Sequence, residues 1–126
     1  MDGYNVKINY DSRELTAKER VAIKDTSNAI SLDEATKAGA IEIDYDYHVI
    51  LGIHNENSEN KDYTKTVLVA KDGGKFVTGS EAFTTALTAI VDEMVDAGEG
   101  DAIKLSVYKK DSKKYSGKQF ITVSLI

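Results

Sequence analysis

From Ile41 to Ile53 every odd position is apolar or aromatic: Ile41, Ile43, Tyr45, Tyr47, Val49, Leu51 and Ile53. The even positions between them read Glu42, Asp44, Asp46, His48, Ile50 and Gly52. Wound as a helix, this run would scatter its apolar groups around the whole cylinder. As a strand it puts them on one side. The segment therefore predicts one long strand, buried on one face and largely wet on the other, as in an antiparallel sheet. The rest of the chain must provide partners for its edges and a layer for its buried face.

The partners follow in order. Asn55 to Asp62 is a polar connection, and Tyr63 to Ala70 is a β-branched-rich run that pairs back. Lys71-Asp72-Gly73-Gly74 has the residues of a tight turn, after which Lys75-Phe76-Val77-Thr78 forms a short third strand. At Gly79-Ser80 the period changes. Ser80 suits an N-cap and Glu81 the first turn, while Phe83, Leu87, Ile90, Val91, Met94 and Val95 recur at helical spacing until Gly98. Period two returns with Ile103, Leu105 and Val107 facing one way and Lys104, Ser106 and Tyr108 the other. A lysine-rich turn closing at Gly117 then leads to a last strand, Phe120 to Ile126. The first forty residues carry weaker signals: a short alternation at Val6 to Tyr10, capping-box pairs at Thr16/Glu19 and Ser31/Glu34, and Gly39 as a helix stop.

This order predicts a mainly β single domain over residues 1–126: a five-stranded OB-like barrel with one amphipathic helix between strands 3 and 4, preceded by irregular or short helical segments. A chain of 126 residues can bury one adequate core, and no repeat, low-complexity tract or proline marks a linker. The chain has no apolar run fit to span a bilayer, and Met1 to Asn5 lacks the basic and apolar regions of a secretory signal. Together with the absence of cysteine, this points to the cytoplasm. Without cysteine there is no thiol nucleophile, Cys-ligated zinc or iron–sulfur cluster.

Charge is distributed unevenly. The net charge is −5, yet residues 102–126 hold six lysines against the single acid Asp111, leaving ten basic and twenty acidic residues in the remainder. Lys104, Tyr108, Lys109, Lys110, Lys113, Lys114, Tyr115 and Lys118 interleave ammonium groups with flat rings across the last hairpin. Single-stranded nucleic acid is held by this mixture, since ammonium groups displace phosphate counterions and rings stack on bases without reading sequence. The competing reading is a hairpin kept soluble by lysine and protected from edge pairing.

Other clusters carry less. Glu42, Asp44, Asp46 and His48, on one strand face, could in principle hold Mg²⁺, but a two-metal site draws its acids from several elements, and a solvated sheet face accounts for all four. His54 among Asn55, Glu56, Ser58 and Glu59 has no oriented nucleophile and reads as a surface turn. Gly73-Gly74 and Gly79-Ser80 lack the spacing and lysine of a P-loop. No enzyme, metal or cofactor is expected. The acids on the long strand repel phosphate, and they support a rival reading as a protein-interaction module that mimics DNA or engages a replication factor.

With these elements in place, the chain resembles the small phage-encoded single-stranded DNA-binding proteins of protein-primed replication. The resemblance rests on Asn5-Val6-Lys7 leading to Asp11 and Leu15, on the strand from Ile41-Glu42, on Asp72-Gly73 before Phe76, and on the helix and lysine-bearing hairpin ending in Ser124-Leu125-Ile126. It implies a non-enzymatic OB-fold binder that coats displaced strands through stacking tyrosines. The family aromatic after the Asp-Gly turn falls on Phe76. Two further family tyrosines meet Val49 or Ile50 and Glu56 or Asn57, with Tyr47 and Tyr63 the nearest rings.

The expectation is therefore single-stranded DNA binding with little sequence preference, in phage replication or recombination in the host cytoplasm. Partners would include phage or host replication proteins, no membrane is involved, and self-association is compatible. Tyr47, Tyr63, Phe76, Tyr108 and Tyr115 would supply rings, and Lys65, Lys75, Lys110, Lys113, Lys114 and Lys118 would contact phosphate.

Overall fold

A computed structural model describes residues 3–112 and 117–126. Seven strands and three helices run in the order β1 (Tyr4–Asp11), α1 (Ala17–Ile23), β2 (Ile30–Ser31), α2 (Leu32–Ala35), β3 (Ile41–Asn55), β4 (Asp62–Ala70), β5 (Lys75–Thr78), α3 (Glu81–Asp96), β6 (Lys104–Asp111) and β7 (Gln119–Leu125). The strands form one sheet in the order β2-β5-β4-β3-β6-β7, with β1 also paired to β3. This corrects the expected five-stranded barrel. The sheet is a curled, open half-barrel of OB-like character, and β1 joins it because the weak alternation at Val6 to Tyr10 finds an edge of β3.

β3 organises the sheet because it is long enough to pair twice along one edge. Its first residues, Ile41–Asp44, pair with β6, while Val49–Asn55 pair with β1. β4 takes the opposite edge from Tyr45 to His54. The register of β3 against β4 shifts between Tyr45 and Tyr47, so Asp46 is an extra residue, a β-bulge. A one-residue insertion exchanges the faces of everything beyond it.

The single buried face expected for the odd residues is thus replaced by two. Ile43 and Tyr45 enter a core with Phe83, Leu87 and Val91 of α3, Leu105 and Val107 of β6, and Ile121 and Val123 of β7. Tyr47, Val49, Leu51 and Ile53 enter a second core on the other side, with Leu15, Ile23, Val67 and Val69. Each fully buried aliphatic or aromatic side chain contributes about 1.5–3 kcal/mol. The two clusters therefore hold α3 and α1 on opposite faces of one sheet.

Local signals explain the helices. Ser80 accepts a hydrogen bond from the Phe83 N–H at 3.2 Å, and Phe83, Leu87 and Val91, spaced by four, are buried. Gly98, at φ +76°, ends the helix where a side chain would be strained. Thr16 and Glu19 complete their capping box, which nucleates α1 despite its seven residues. Ser31 stands at the N-cap of α2 without a side-chain cap bond, and that helix stops at Ala35, well before Gly39.

The bulge is held from a distance. Arg13 donates to Asp46 at 3.2 Å and to Glu19 at 2.9 Å, and its guanidinium lies 4.2 Å from the Tyr47 ring centroid. On the other face Tyr45 and His48 both point toward α3. The Tyr45 hydroxyl lies 2.7 Å from His48 Nδ1 and 2.7 Å from Ser12 Oγ, and the His48 backbone N–H donates to Ser12 Oγ at 2.9 Å. His48 Nε2 reaches Thr88 Oγ1 at 3.3 Å.

Candidate nucleic-acid interface

The most open ring-and-lysine surface is the outer face of the last hairpin. Leu105, Val107, Ile121 and Val123 are buried under α3. Alternation therefore turns Lys104, Ser106, Tyr108 and Lys110 of β6, and Phe120, Thr122 and Ser124 of β7, to the other side. Tyr108 is half-buried, its hydroxyl 2.8 Å from Ser124 Oγ, which fixes the ring against the sheet. Lys110 is exposed and stands directly across from Phe120, whose ring is 40% exposed. Lys118 is exposed at the start of the returning strand. Lys113, Lys114 and Tyr115, predicted to belong to this surface, lie outside the described residues.

Phe120 was not among the rings expected from the sequence. The signal was available: Ile121 and Val123 alternate with Phe120 and Thr122, so a ring at Phe120 must share the face of Tyr108 once the two strands pair. The surface is bounded on its β3 side by acids, because Glu42 pairs with Ser106 and Asp44 with Lys104. A phosphate backbone is thereby directed toward the β7 side of the hairpin.

The remaining predicted residues do not converge on this patch. Tyr47 is only 6% exposed, sealed beneath Arg13, and offers no free face to a base. Tyr63 and Lys65 are half-buried on the side of the sheet that holds Val67 and Val69, with Tyr63 packed against the second core. Tyr63 pairs with Ile53 and Val107 with Ile41, so Tyr63 and Tyr108 are separated by about 40 Å of β3, at roughly 3.3 Å per residue. Phe76 packs against the α3 core on the opposite face. Lys75 is consumed by structure: its Nζ donates to Ala22 O, Asp25 O and Asn28 Oδ1, each at 3.1 Å, closing the C-terminal end of α1.

The acidic strand face is also broken up. His48 is fully buried, Asp46 is bound by Arg13, and Asp44 lies 3.9 Å from Lys71. The four residues therefore form neither a metal site nor a continuous acidic docking face. No cluster of metal-ligating side chains occurs among the described residues. Burial drives the His48 pKa down to about 4, which keeps the imidazole neutral at pH 7.

A second concavity, which no sequence motif announced, lies past the N-terminal end of α3 on its side of the sheet. Asn5, Lys7 and Asn9 of β1, Gly52 and His54 of β3, and Asp62 and Thr64 of β4 line an open groove of 370 Å³. Gly52 lets the Asn9 side chain lie against the strand, since a Cβ there would fall 2.6 Å from Asn9 Nδ2 and force that amide to move. His54 is clamped between Asp62 at 2.7 Å and Glu56 at 2.6 Å, and these carboxylates raise its pKa. With two acids beside one lysine, this groove suits a phosphate chain less well than the hairpin does.

Comparison with curated proteins and with solved structures returned no match. Comparison with family descriptions returned the Phi29-type phage single-stranded DNA-binding protein, matching residues 4–126. That span includes β1, both cores and the whole basic hairpin, and on it the chain belongs to the Phi29-type family of phage single-stranded DNA-binding proteins.

Proposed function

We propose that this protein binds single-stranded DNA without catalysis and with little sequence preference, serving phage DNA replication in the host cytoplasm. The family match over residues 4–126 carries the reading. The outer face of the β6–β7 hairpin supports it, because exposed lysines and accessible rings occur together there. Tyr108 and Phe120 would stack on bases, at about 1–3 kcal/mol each. Lys104, Lys110 and Lys118 would neutralise phosphates, each adding about 0.7 to the steepness with which log K falls with log salt for a single strand. Neither kind of contact reads a base edge, hence the tolerance of sequence. Replication proteins of phage or host are the further partners implied.

Titration of tyrosine fluorescence with oligo-dT over a salt series tests this reading. Saturable quenching that weakens with salt, with duplex of equal length binding much more weakly, supports it. Equal affinity for duplex, or no binding at low salt, rejects it.

A further inference from the structure

Sheet edges in soluble proteins are usually blunted by bulges, charges or shortness, because unpaired backbone groups invite another strand. Two of the edges here follow that rule. β1 carries a register shift between Ile8 and Tyr10 and the charged side chains of Lys7 and Asp11. β2, at the other end of the sheet path, has only two residues. β7 does not follow it. Gln119–Leu125 pairs with β6 without a register shift, contains no charged side chain and no proline, and ends the sheet path.

The free edge of β7 has a definite pattern. The Ile126 N–H donates to Lys104 O at 2.9 Å and the Ser112 N–H to Lys118 O at 2.9 Å, so the even-numbered residues of β7 direct their backbone groups at β6. The N–H and C=O groups of Ile121, Val123 and Leu125 therefore point away from β6. Flanking them are Phe120, Leu125 and Ile126, which are 40%, 44% and 61% exposed.

We infer that β7 is a self-association edge, pairing antiparallel with β7 of a second copy about a two-fold axis at Val123. This register uses every outward backbone group of the strand's centre: Val123 exchanges both hydrogen bonds with its counterpart, and Ile121 exchanges both with the counterpart's Leu125. It also seats Phe120 across from the counterpart's Ile126, so exposed apolar side chains cover one another. Because the segment is uncharged, no like charges are opposed. A second copy fits where a generic strand would not, since the apolar positions mirror themselves about Val123. The axis is perpendicular to the sheet, so the outer faces of the two hairpins join into one surface. The contact is short, which places it among weak, transient interfaces.

The chain contains no cysteine, so engineered thiols report the register directly. In this pairing Thr122 faces the counterpart's Ser124 as a non-hydrogen-bonded pair, with Cα atoms about 4.5 Å apart, within disulfide range. The test is oxidation of Thr122→Cys protein, Ser124→Cys protein and their equimolar mixture, without DNA. The mixture is expected to give several-fold more cross-linked dimer than either variant alone. Leu125→Pro, which deletes an outward N–H on an exposed residue and leaves the β6 ladder intact, should abolish the excess. Equal cross-linking in all three samples, none in any, or persistence of the excess with Leu125→Pro overturns the inference. DNA binding by the uncross-linked variants is measured separately, so a failure here leaves the DNA-binding reading standing.

Discussion

Acidification should destabilise this protein through His48 in particular. The imidazole is fully buried between Tyr45 and Thr88, and burial lowers its pKa to about 4 from the ordinary 6.5. An unfolded chain therefore takes up a proton below pH 6.5 that the folded chain refuses until about pH 4, so stability rises with pH in that window. The contribution is fully present above pH 6.5 and is lost progressively down to about pH 4. Each pH step of one within that window is worth about 1.4 kcal/mol, so moving from pH 7.5 to pH 5 removes about 2 kcal/mol. Carboxylates also titrate on acidification, so the informative quantity is the difference between wild type and His48→Gln. That variant keeps a hydrogen-bonding side chain, costs about 1–3 kcal/mol at pH 7.5 for imperfect pairing, and has no imidazole to charge. In urea unfolding followed by circular dichroism, the wild-type advantage should shrink by about 2 kcal/mol between the two pH values, or about 1 M in midpoint for a typical slope. A gap of constant size at both pH values would show that His48 is not held neutral by burial.

Three further outcomes follow from the same contacts. Lys75→Met should lower stability by about 1 kcal/mol, by removing the hydrogen bonds that tie β5 to the end of α1, while leaving the salt slope of oligo-dT binding unchanged; a reduced slope would return Lys75 to the interface. Arg13→Ala should cost about 1 kcal/mol from the lost contact over the Tyr47 ring and make that ring accessible to acrylamide quenching; unchanged quenching would mean Tyr47 is sealed by other groups. Leu51→Ala, at the fully buried centre of the second core, should cost about 2–5 kcal/mol in denaturant unfolding; a loss below about 1 kcal/mol would mean that this core repacks freely.

Elements set by local spacing were legible in the sequence: the long strand, the capped helix with its apolar stripe, the Asp-Gly turn and the basic hairpin. What escaped it depends on residues far apart in the chain. The bulge at Asp46 is fixed by Arg13, thirty-three positions away, and no local pattern announces that the odd residues before and after it face opposite cores. Lys75 looked like a free cation because its acceptors lie on and just after α1, some fifty positions upstream. Tyr47 alternated like any strand ring, and its burial follows from the bulge that turns it into the second core and from the distant Arg13 that covers it there. The hairpin fared better because its two strands are neighbours in sequence, although the ring at Phe120 needed the pairing register to be seen.

The most direct test of the account is the salt dependence of oligo-dT affinity for Lys104→Ala/Lys110→Ala compared with Lys37→Ala, whose lysine is exposed on another part of the surface beside Glu34. A slope reduced by about 1.4 in the double variant, with the Lys37 variant matching wild type, is the predicted result. A wild-type slope in the double variant would place the DNA elsewhere and contradict the hairpin interface.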